Sequence, residues 1–158
     1  MRWISDWWVE LMSMHQFLRG DTTNPKGLFV ENLWAFSDQE LENTHDFIQW
    51  VFPLDEPSSA VPSSPVLTES EVQEIRKDSE VTIMLVKAAS LYCDFLRRNR
   101  HWICAYNHNH LRITRVIKSL RLLVGEGAAD RFKSDVFALV GDELTKIGST
   151  AIDFWNAA

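Results

Sequence analysis

The sequence predicts an all-α fold, a single compact domain (1–158) of about six or seven helices. Apolar residues recur at spacings of three and four along most of the chain, as they do on one face of an α-helix. Residues that cap or end helices separate these segments. The chain has no alternating Val, Ile and Thr run and no Asn-Gly hairpin turn, so β structure is not expected. A chain of 158 residues can bury a substantial core.

The first third of the chain predicts three helical regions. Apolar spacing over 3–18 gives an amphipathic helix that ends before Gly20. A turn rich in Gly, Pro, Asn and Asp follows, and a second helical region lies near 29–36. Asp38 then begins a helix that runs to Pro53, because proline disfavours helical geometry in the residue before it.

The middle of the chain begins with a loop and continues with two helices. Three prolines and four serines over 55–67 predict a surface loop. Thr68 and Glu71 form a capping box that starts the next helix. A break near 78–79 precedes a longer helix that ends at about Arg98.

A strong basic helix and two final helices complete the prediction. The basic helix runs through Val124 after a connector, with Asn107 or Asn109 as its N-cap. Gly125 and Gly127 end it. The last two helices are predicted over 128–140 and 143–155.

Charge is distributed unevenly along the chain, beneath a formal net charge of −6. Residues 27–75 contain ten Asp or Glu and no Lys or Arg, whereas 95–125 contain seven Lys or Arg and no acid. This separation predicts either that the two segments face each other in the fold or that the basic segment meets an anion. An acidic protein repels polyanions outside its basic patch, which disfavours nucleic-acid binding.

The helix that ends at Pro53 is predicted to be central, because apolar side chains surround most of it. His45 falls on its buried arc. It is either a core histidine with a hydrogen-bond partner or a ligand or general base that faces a pocket. Trp50 is predicted to be a core residue or a pocket wall, and Gln49 to face solvent.

The basic helix carries cations at three-residue steps on its polar half. These are Arg112, Arg115, Lys118 and Arg121. The first turn of such a helix has free backbone N–H groups. Together with the side chains of His108 and His110, these groups could hold a carboxylate or phosphate. The alternative is that the cations pair with acids of the first half, and the expected partners are Asp38, Glu42 and Asp46.

Motifs for metal binding and catalysis are absent from the sequence. Cys104, His108 and His110 lie close together just after His101, but their spacing matches no common zinc motif. No Gly-rich phosphate loop, no nucleophile elbow and no His-Glu-x-x-His motif occurs. We therefore expect no cofactor, no bound metal and no assigned catalytic residue.

Cysteine and hydropathy patterns predict a soluble cytoplasmic protein. Cys93 and Cys104 cannot build a disulfide framework, so a reducing compartment is expected. Asp6 and Glu10 interrupt the apolar N-terminus, so neither a signal peptide nor a transmembrane helix is predicted. Peripheral membrane association of the Trp-rich start is an alternative, but the few basic residues there favour core packing.

The chain contains, in this order, the segments "HDFIQWVFPL" at 45–54 and "HNHLRITRVIKSLRLL" at 108–123. Together these segments resemble the opioid growth factor receptor conserved domain. The similarity covers 17–132 and is closest in kind to the short, stand-alone members found in bacteria. The resemblance implies a helical domain with a receptor-like binding role. Animal members are described as receptors for an enkephalin-type pentapeptide. The resemblance brings no catalytic residue set.

We predict that the helices carrying these two segments pack together, with their polar side chains, Thr114 included, at one cleft. The predicted ligand-binding residues are His45, Gln49, Trp50, His108, Asn109, His110, Arg112 and Arg115. The leading hypothesis is a non-enzymatic, receptor-like domain for a small anionic or peptide-like ligand or a protein partner. Arg112 and Arg115 would hold the anion, and Trp50 would form an aromatic wall.

Two alternative functions use the same segments. One is an enzyme of unknown reaction with His45 or His110 as acid or base, which needs at least two titratable groups within mutual reach. The other is nucleic-acid binding through the basic helix at 109–124, which needs its cations to be unpaired on the surface.

Overall fold

Residues 13–158, the part of the chain that this computed structural model describes, fold almost entirely into helices. Its α-helices are α1 (Met14–Arg19), α2 (Val30–Trp34), α3 (Asp38–Asn43), α4 (Phe47–Val51), α5 (Glu69–Lys77), α6 (Ser79–Arg98), α7 (His108–Leu123), α8 (Glu126–Val140) and α9 (Ser149–Ala157). Two 3-10 helices span Arg100–Trp102 and Gly141–Lys146. The all-α prediction is confirmed. Among these residues the β pairing is one isolated bridge between Leu54 and Val66.

Helix α1 is the end of the predicted first helix. The Ser13 hydroxyl accepts a hydrogen bond from the Gln16 N–H at 3.1 Å and caps its start. Gly20, at φ 84°, ends it in the left-handed conformation that favours glycine. The Trp-rich part of the prediction, 3–12, lies outside the described residues.

Helices α5 and α6 meet where the sequence predicts. The Glu71 N–H donates to the Thr68 hydroxyl at 3.1 Å, and the Thr68 N–H donates to the Glu71 carboxylate at 3.0 Å, as in a capping box. Asp78 is extended between the two helices, and its carboxylate accepts hydrogen bonds from the N–H groups of Glu80 and Val81. One short polar residue therefore ends α5 and starts α6.

The predicted continuous helix from Asp38 to Pro53 is wrong, because it is divided into α3 and α4. Thr44 is extended, at φ −91° and ψ 108°. In a continuous helix the Leu41 carbonyl would accept a hydrogen bond from the N–H of His45, four residues later in the chain. Here the Arg112 side chain, reaching across from α7, donates to the carbonyls of both Leu41 and Thr44. A tertiary contact thus replaces the local helical bonds.

Helix α7 lies at the centre of the packing and contacts α4, α5, α6, α8 and α9. Its apolar stripe is buried. The stripe residues, each at most 1% exposed, are Ile113, Val116, Ile117, Leu120 and Leu123. They belong to one connected cluster of buried side chains drawn from α1 to α9. The α7 residues beside this stripe are therefore held in fixed positions against α4.

The last predicted helix, 143–155, is interrupted before α9. Gly148 lies so close to another segment that a Cβ atom there would be 2.8 Å from the Ala105 carbonyl oxygen. The Gly148 N–H donates to that same oxygen at 3.2 Å. This close approach needs a glycine and directs the chain away from helical pairing, so α9 begins at Ser149.

Replacing Asp38 with asparagine should lower the free energy of unfolding by up to about 1 kcal/mol at neutral pH, a small value because the ion pair is exposed and screened. Arg98 donates two hydrogen bonds to this carboxylate, at 2.8 and 3.1 Å, and joins α6 to α3. Hydrogen bonds from Arg98 and then Asn99 lower the Asp38 pKa to about 2.

The effect of this substitution should depend on pH. A carboxyl whose pKa is lowered by folding stabilises the protein above its unfolded pKa, roughly 4, and loses that effect as the pH falls through its folded value. Urea unfolding of wild type and Asp38→Asn should therefore differ fully at pH 6 and converge as the pH approaches about 2. An undiminished difference near pH 2 would contradict this assignment.

Candidate functional site

A cleft of about 620 Å³ is formed by α4, the loop that follows it, α7 and α9. The α7 side chains that line it are His108, Leu111, Arg112, Thr114, Arg115 and Lys118. The loop contributes 56–61, and Phe154 of α9 also lines the cleft. The prediction that the two motif segments pack together is therefore confirmed.

Arg112 ties α7 to the junction between α3 and α4. Its Nη1 donates to the Leu41 carbonyl at 2.7 Å and its Nη2 to the Thr44 carbonyl at 3.0 Å. The guanidinium also lies over the ring of Phe47, 5.0 Å from the centroid. Arg112 is 6% exposed, and its donors satisfy carbonyl groups that the helix break leaves free.

Arg115 and Ser119 make corresponding contacts at the other end of α4. The Arg115 Nε donates to the Phe52 carbonyl at 2.9 Å, and the Ser119 hydroxyl donates to the Pro53 carbonyl at 2.9 Å. Arg115 is only 8% exposed, and its buried Nη2 has no hydrogen-bond partner among the described residues. Burial lowers the Arg115 pKa to about 10, partly opposed by the charge of Glu56.

The acids expected to pair with α7 have other partners. Asp38 binds Arg98, and the Asp46 carboxylate is 2.7 Å from the Lys26 ammonium. Glu42 is contacted by the Nε2 atoms of two histidines, His101 and His108, each 3.0 Å from its Oε1. The predicted pairing of Asp38, Glu42 and Asp46 with the α7 cations is therefore wrong, but Arg98–Asp38 joins the acidic and basic segments, and Lys118 of α7 pairs with Glu56 of the acidic segment.

Glu42 forms a polar cluster that includes His108, a residue of the cleft. The Asn109 amide donates to its Oε2 at 3.3 Å, and the Tyr92 hydroxyl donates to the Asn109 Oδ1 at 2.8 Å. Burial raises the Glu42 pKa, but hydrogen bonds from His101 and Asn109 outweigh it, so the pKa lies below its usual value. Burial, followed by the charge of Arg112, lowers the pKa of His108.

Lys118 and Arg121 pair with acids that the sequence did not single out. The Lys118 ammonium is 2.8 Å from the Glu56 carboxylate. Arg121 pairs with Glu126 and, at 2.9 Å, with Asp130. With Arg112 and Arg115 buried, the basic side chains of α7 do not meet the condition that nucleic-acid binding requires, a row of free surface cations.

Five of the eight predicted ligand-binding residues line the cleft. They are His45, Gln49, His108, Arg112 and Arg115. His45 is exposed between α3 and α4, so the predicted buried position is wrong, because the helix break turns it outward. Gln49 is 6% exposed, against the predicted solvent-facing position. Its amide faces the carbonyls of His45 and Asp46 at 3.2 Å, where the amide nitrogen can donate.

The other three predicted residues, Trp50, Asn109 and His110, are not among those lining this cleft. Trp50 packs edge-on against Phe17, with centroids 5.3 Å apart, so the predicted aromatic wall is not formed by this side chain. Asn109 is fully buried. His110 is 6% exposed, its Nε2 donates to the Trp102 carbonyl at 2.7 Å, and it lines a neighbouring groove rather than this cleft.

Sequence reasoning did not assign several residues that shape this region. Leu111 and Phe154 line the cleft and are 60% and 50% exposed. The available signal was Leu111 itself, an apolar residue on the polar half of a basic helix. A neighbouring groove of about 510 Å³ shares these two residues and His108 with the cleft, and Tyr106 and Ala151 also line it.

Two further observations concern the described residues only. No helix there is long and apolar enough to cross a membrane. Cys93 and Cys104 are not bonded to each other, and no group of three or more His, Cys, Asp and Glu side chains in 13–158 is arranged to hold a metal ion.

The fold and site define an all-α domain with an open cleft against a basic central helix. The family described as "Opioid growth factor receptor (OGFr) conserved region" matches residues 10–100, more than half of the chain. The chain therefore belongs to this family. That match includes the first motif segment, whereas α7 lies beyond it.

Similarity to whole proteins extends further along the chain. Opioid growth factor receptors of Mus musculus and Homo sapiens are each 30% identical to it, over 83% and 85% of this chain. Opioid growth factor receptor-like protein 1 of Xenopus tropicalis is 28% identical over 92% of it. This chain spans about a quarter of the length of the two receptors, 24% and 23%, and 33% of the third protein. No solved structure matches.

Proposed function

We propose that this chain is a non-enzymatic, receptor-like binding domain whose cleft between α4 and α7 holds an anionic group of a small or peptide-like ligand. The observation that carries the proposal is Arg115. This residue is 8% exposed, lines the cleft, has a buried Nη2 without a hydrogen-bond partner, and forms no ion pair with any residue of 13–158. Buried charges are normally paired, so a cation left in this state favours an anion beside it.

Two nearby groups support an anion at this position. Lys118 lines the same cleft and is 43% exposed, so it can turn from Glu56 toward a ligand at little cost. Thr114 also lines the cleft and offers a hydroxyl group. Arg112 lies beside them, but its Nη1 and Nη2 donate hydrogen bonds to backbone carbonyls. It therefore contributes positive charge to the cleft rather than free hydrogen-bond donors for a ligand. A carboxylate or phosphate matches this set.

The relatives support a receptor-like role by their names alone. Two of them are opioid growth factor receptors, and this chain carries the conserved region of that family. Because the chain spans about a quarter of those proteins, we propose that it shares their ligand binding and not their complete receptor activity.

The two unpaired cysteines support a cytoplasmic location, which cell fractionation with a tagged protein would test.

Small anions should raise the melting temperature of the protein, because a ligand that binds only the native state stabilises it. The probes are inorganic phosphate, N-acetylalanine, and N-acetylalanine amide as the uncharged control. At a hundredfold excess over Kd, the shift should be about 5–10 °C for the anions. The amide should give none. Thermal denaturation followed by circular dichroism measures each shift.

Arg115→Met should lose the anion response, whereas Arg131→Met should keep it. Arg131 is an exposed arginine on α8 and does not line the cleft. Each shift is measured from the melting temperature of the same variant without ligand, so lost stability does not count as lost binding. Equal anion responses in wild type and Arg115→Met would show that Arg115 is structural, and the proposal would then fail.

A further inference from the structure

The groove beside the cleft exposes large apolar side chains. Tyr106 is 87% exposed, Leu111 60% and Phe154 50%. Tyr106 precedes α7, Leu111 lies in its first turns, and Phe154 projects from α9. Large apolar side chains clustered on a surface, rather than scattered singly, indicate an interaction site.

The groove is fixed by buried contacts beneath it. Gly148 approaches Ala105 so closely that any side chain there would collide with its carbonyl oxygen, and both residues line the groove. Trp155, next to Phe154, is fully buried, and its Nε1 donates to the His110 carbonyl at 3.0 Å. These buried contacts fix the backbone that carries the exposed side chains.

The cleft and the groove share His108, Leu111 and Phe154, so they form one surface with two parts. One part holds the unpaired charge of Arg115, and the other is lined by Tyr106 and Ala151. The cleft measures about 620 Å³ and the groove about 510 Å³. A single small anion would leave the apolar part empty.

We infer that this surface binds an extended segment of a partner protein, with an Asp or Glu side chain in the cleft and a bulky apolar side chain in the groove. The inference rests on the proposed anion site and names its occupant. Charge complementarity assigns the acidic group to the side of Arg115 and Lys118, since its carboxylate would compensate the buried guanidinium. The exposed Tyr106 and Phe154 assign the apolar group to the groove, because aromatic side chains are enriched at interfaces.

A peptide library tests the occupant directly. Hexapeptides acetylated at the N-terminus and amidated at the C-terminus carry one fixed glutamate, with the other positions randomised. Selection on the wild-type protein should enrich Leu, Ile, Phe, Tyr or Trp at one spacing from the glutamate. No enrichment at any position overturns the inference. A parallel library has no acidic side chain but a free C-terminal carboxylate. Its preferential binding would overturn the inference in favour of a chain end.

Variants separate the two parts of the surface. Tyr106→Ala and Phe154→Ala should each weaken binding of the selected peptide by about tenfold. Ile83→Ala should leave it unchanged, since Ile83 is 68% exposed on α6 and lines neither part. All three side chains are at least half exposed, so these variants are expected to fold.

The outcomes distinguish failure of the inference from failure of the proposed function. In one outcome, phosphate stabilises wild type but not Arg115→Met, and Tyr106→Ala and Phe154→Ala bind the peptide as wild type does. The anion site is then supported, and only the groove assignment is wrong. If Arg115→Met binds phosphate and peptide as wild type does, the anion site itself is wrong, and the inference falls with it.

Discussion

Replacing Arg112 with alanine should lower the free energy of unfolding by about 3 kcal/mol. The substitution leaves the Leu41 and Thr44 carbonyls without their donors, and an unsatisfied buried polar group costs about 1–3 kcal/mol. It also removes the contact with the Phe47 ring and the packing of the side-chain stem. Relief of the cost of burying a charge offsets part of this loss. Urea unfolding followed by circular dichroism measures the effect.

Two further substitutions show whether geometry or charge matters at this position. Arg112→Lys keeps the charge, but a single ammonium replaces two nitrogens that serve different carbonyls, so most of the loss should remain. Arg97→Ala is the matched control, since Arg97 forms an exposed pair with Asp94 on α6 and should change stability by less than about 1 kcal/mol. If Arg112→Ala were as stable as Arg97→Ala, the α3–α4 junction would not depend on Arg112.

Local sequence signals predict some of these helices, but they do not predict the break that Arg112 stabilises. Local signals predicted α7 well: its apolar stripe is buried, and Asn107 caps its start with a hydrogen bond from the Asn109 N–H. The helix break at Thr44 has no comparable local signal. It depends on Arg112, which is 68 residues away in the chain, and no periodicity in 38–53 encodes that contact.

The candidate site was predictable in the same partial way. The two motif segments indicated which helices meet, and five of eight proposed residues line the cleft. Two of the three residues that do not line it, Asn109 and His110, are covered by other segments at the first turn of α7. Trp102, fully buried, accepts the hydrogen bond of His110 at its carbonyl, and Tyr92 binds Asn109. Residues at a helix N-terminus are exposed unless another segment packs on them, and a single sequence does not specify that segment.

The second large effect is expected for Trp155→Ala, which should lower the free energy of unfolding by about 3–5 kcal/mol. Trp155 is fully buried and packs edge-on against Trp102, His110 and Phe137, with centroids 5.8–6.4 Å away. Truncation removes apolar area and leaves a cavity between α7, α8 and α9. The cavity contribution should exceed that of the lost hydrogen bond, because the His110 carbonyl also accepts from the Thr114 hydroxyl at 3.1 Å.

Comparison with Trp155→Phe and Phe154→Ala separates stability from binding. If lost volume dominates, Trp155→Phe should recover more than half of the lost stability although it has no N–H group. An equal loss in Trp155→Phe and Trp155→Ala would assign the effect to the hydrogen bond instead. Phe154→Ala, half exposed at the next position, should change unfolding by less than about 1 kcal/mol yet weaken binding of the selected peptide. Adjacent residues of α9 would then have opposite roles, Trp155 anchoring the helix and Phe154 contacting the partner.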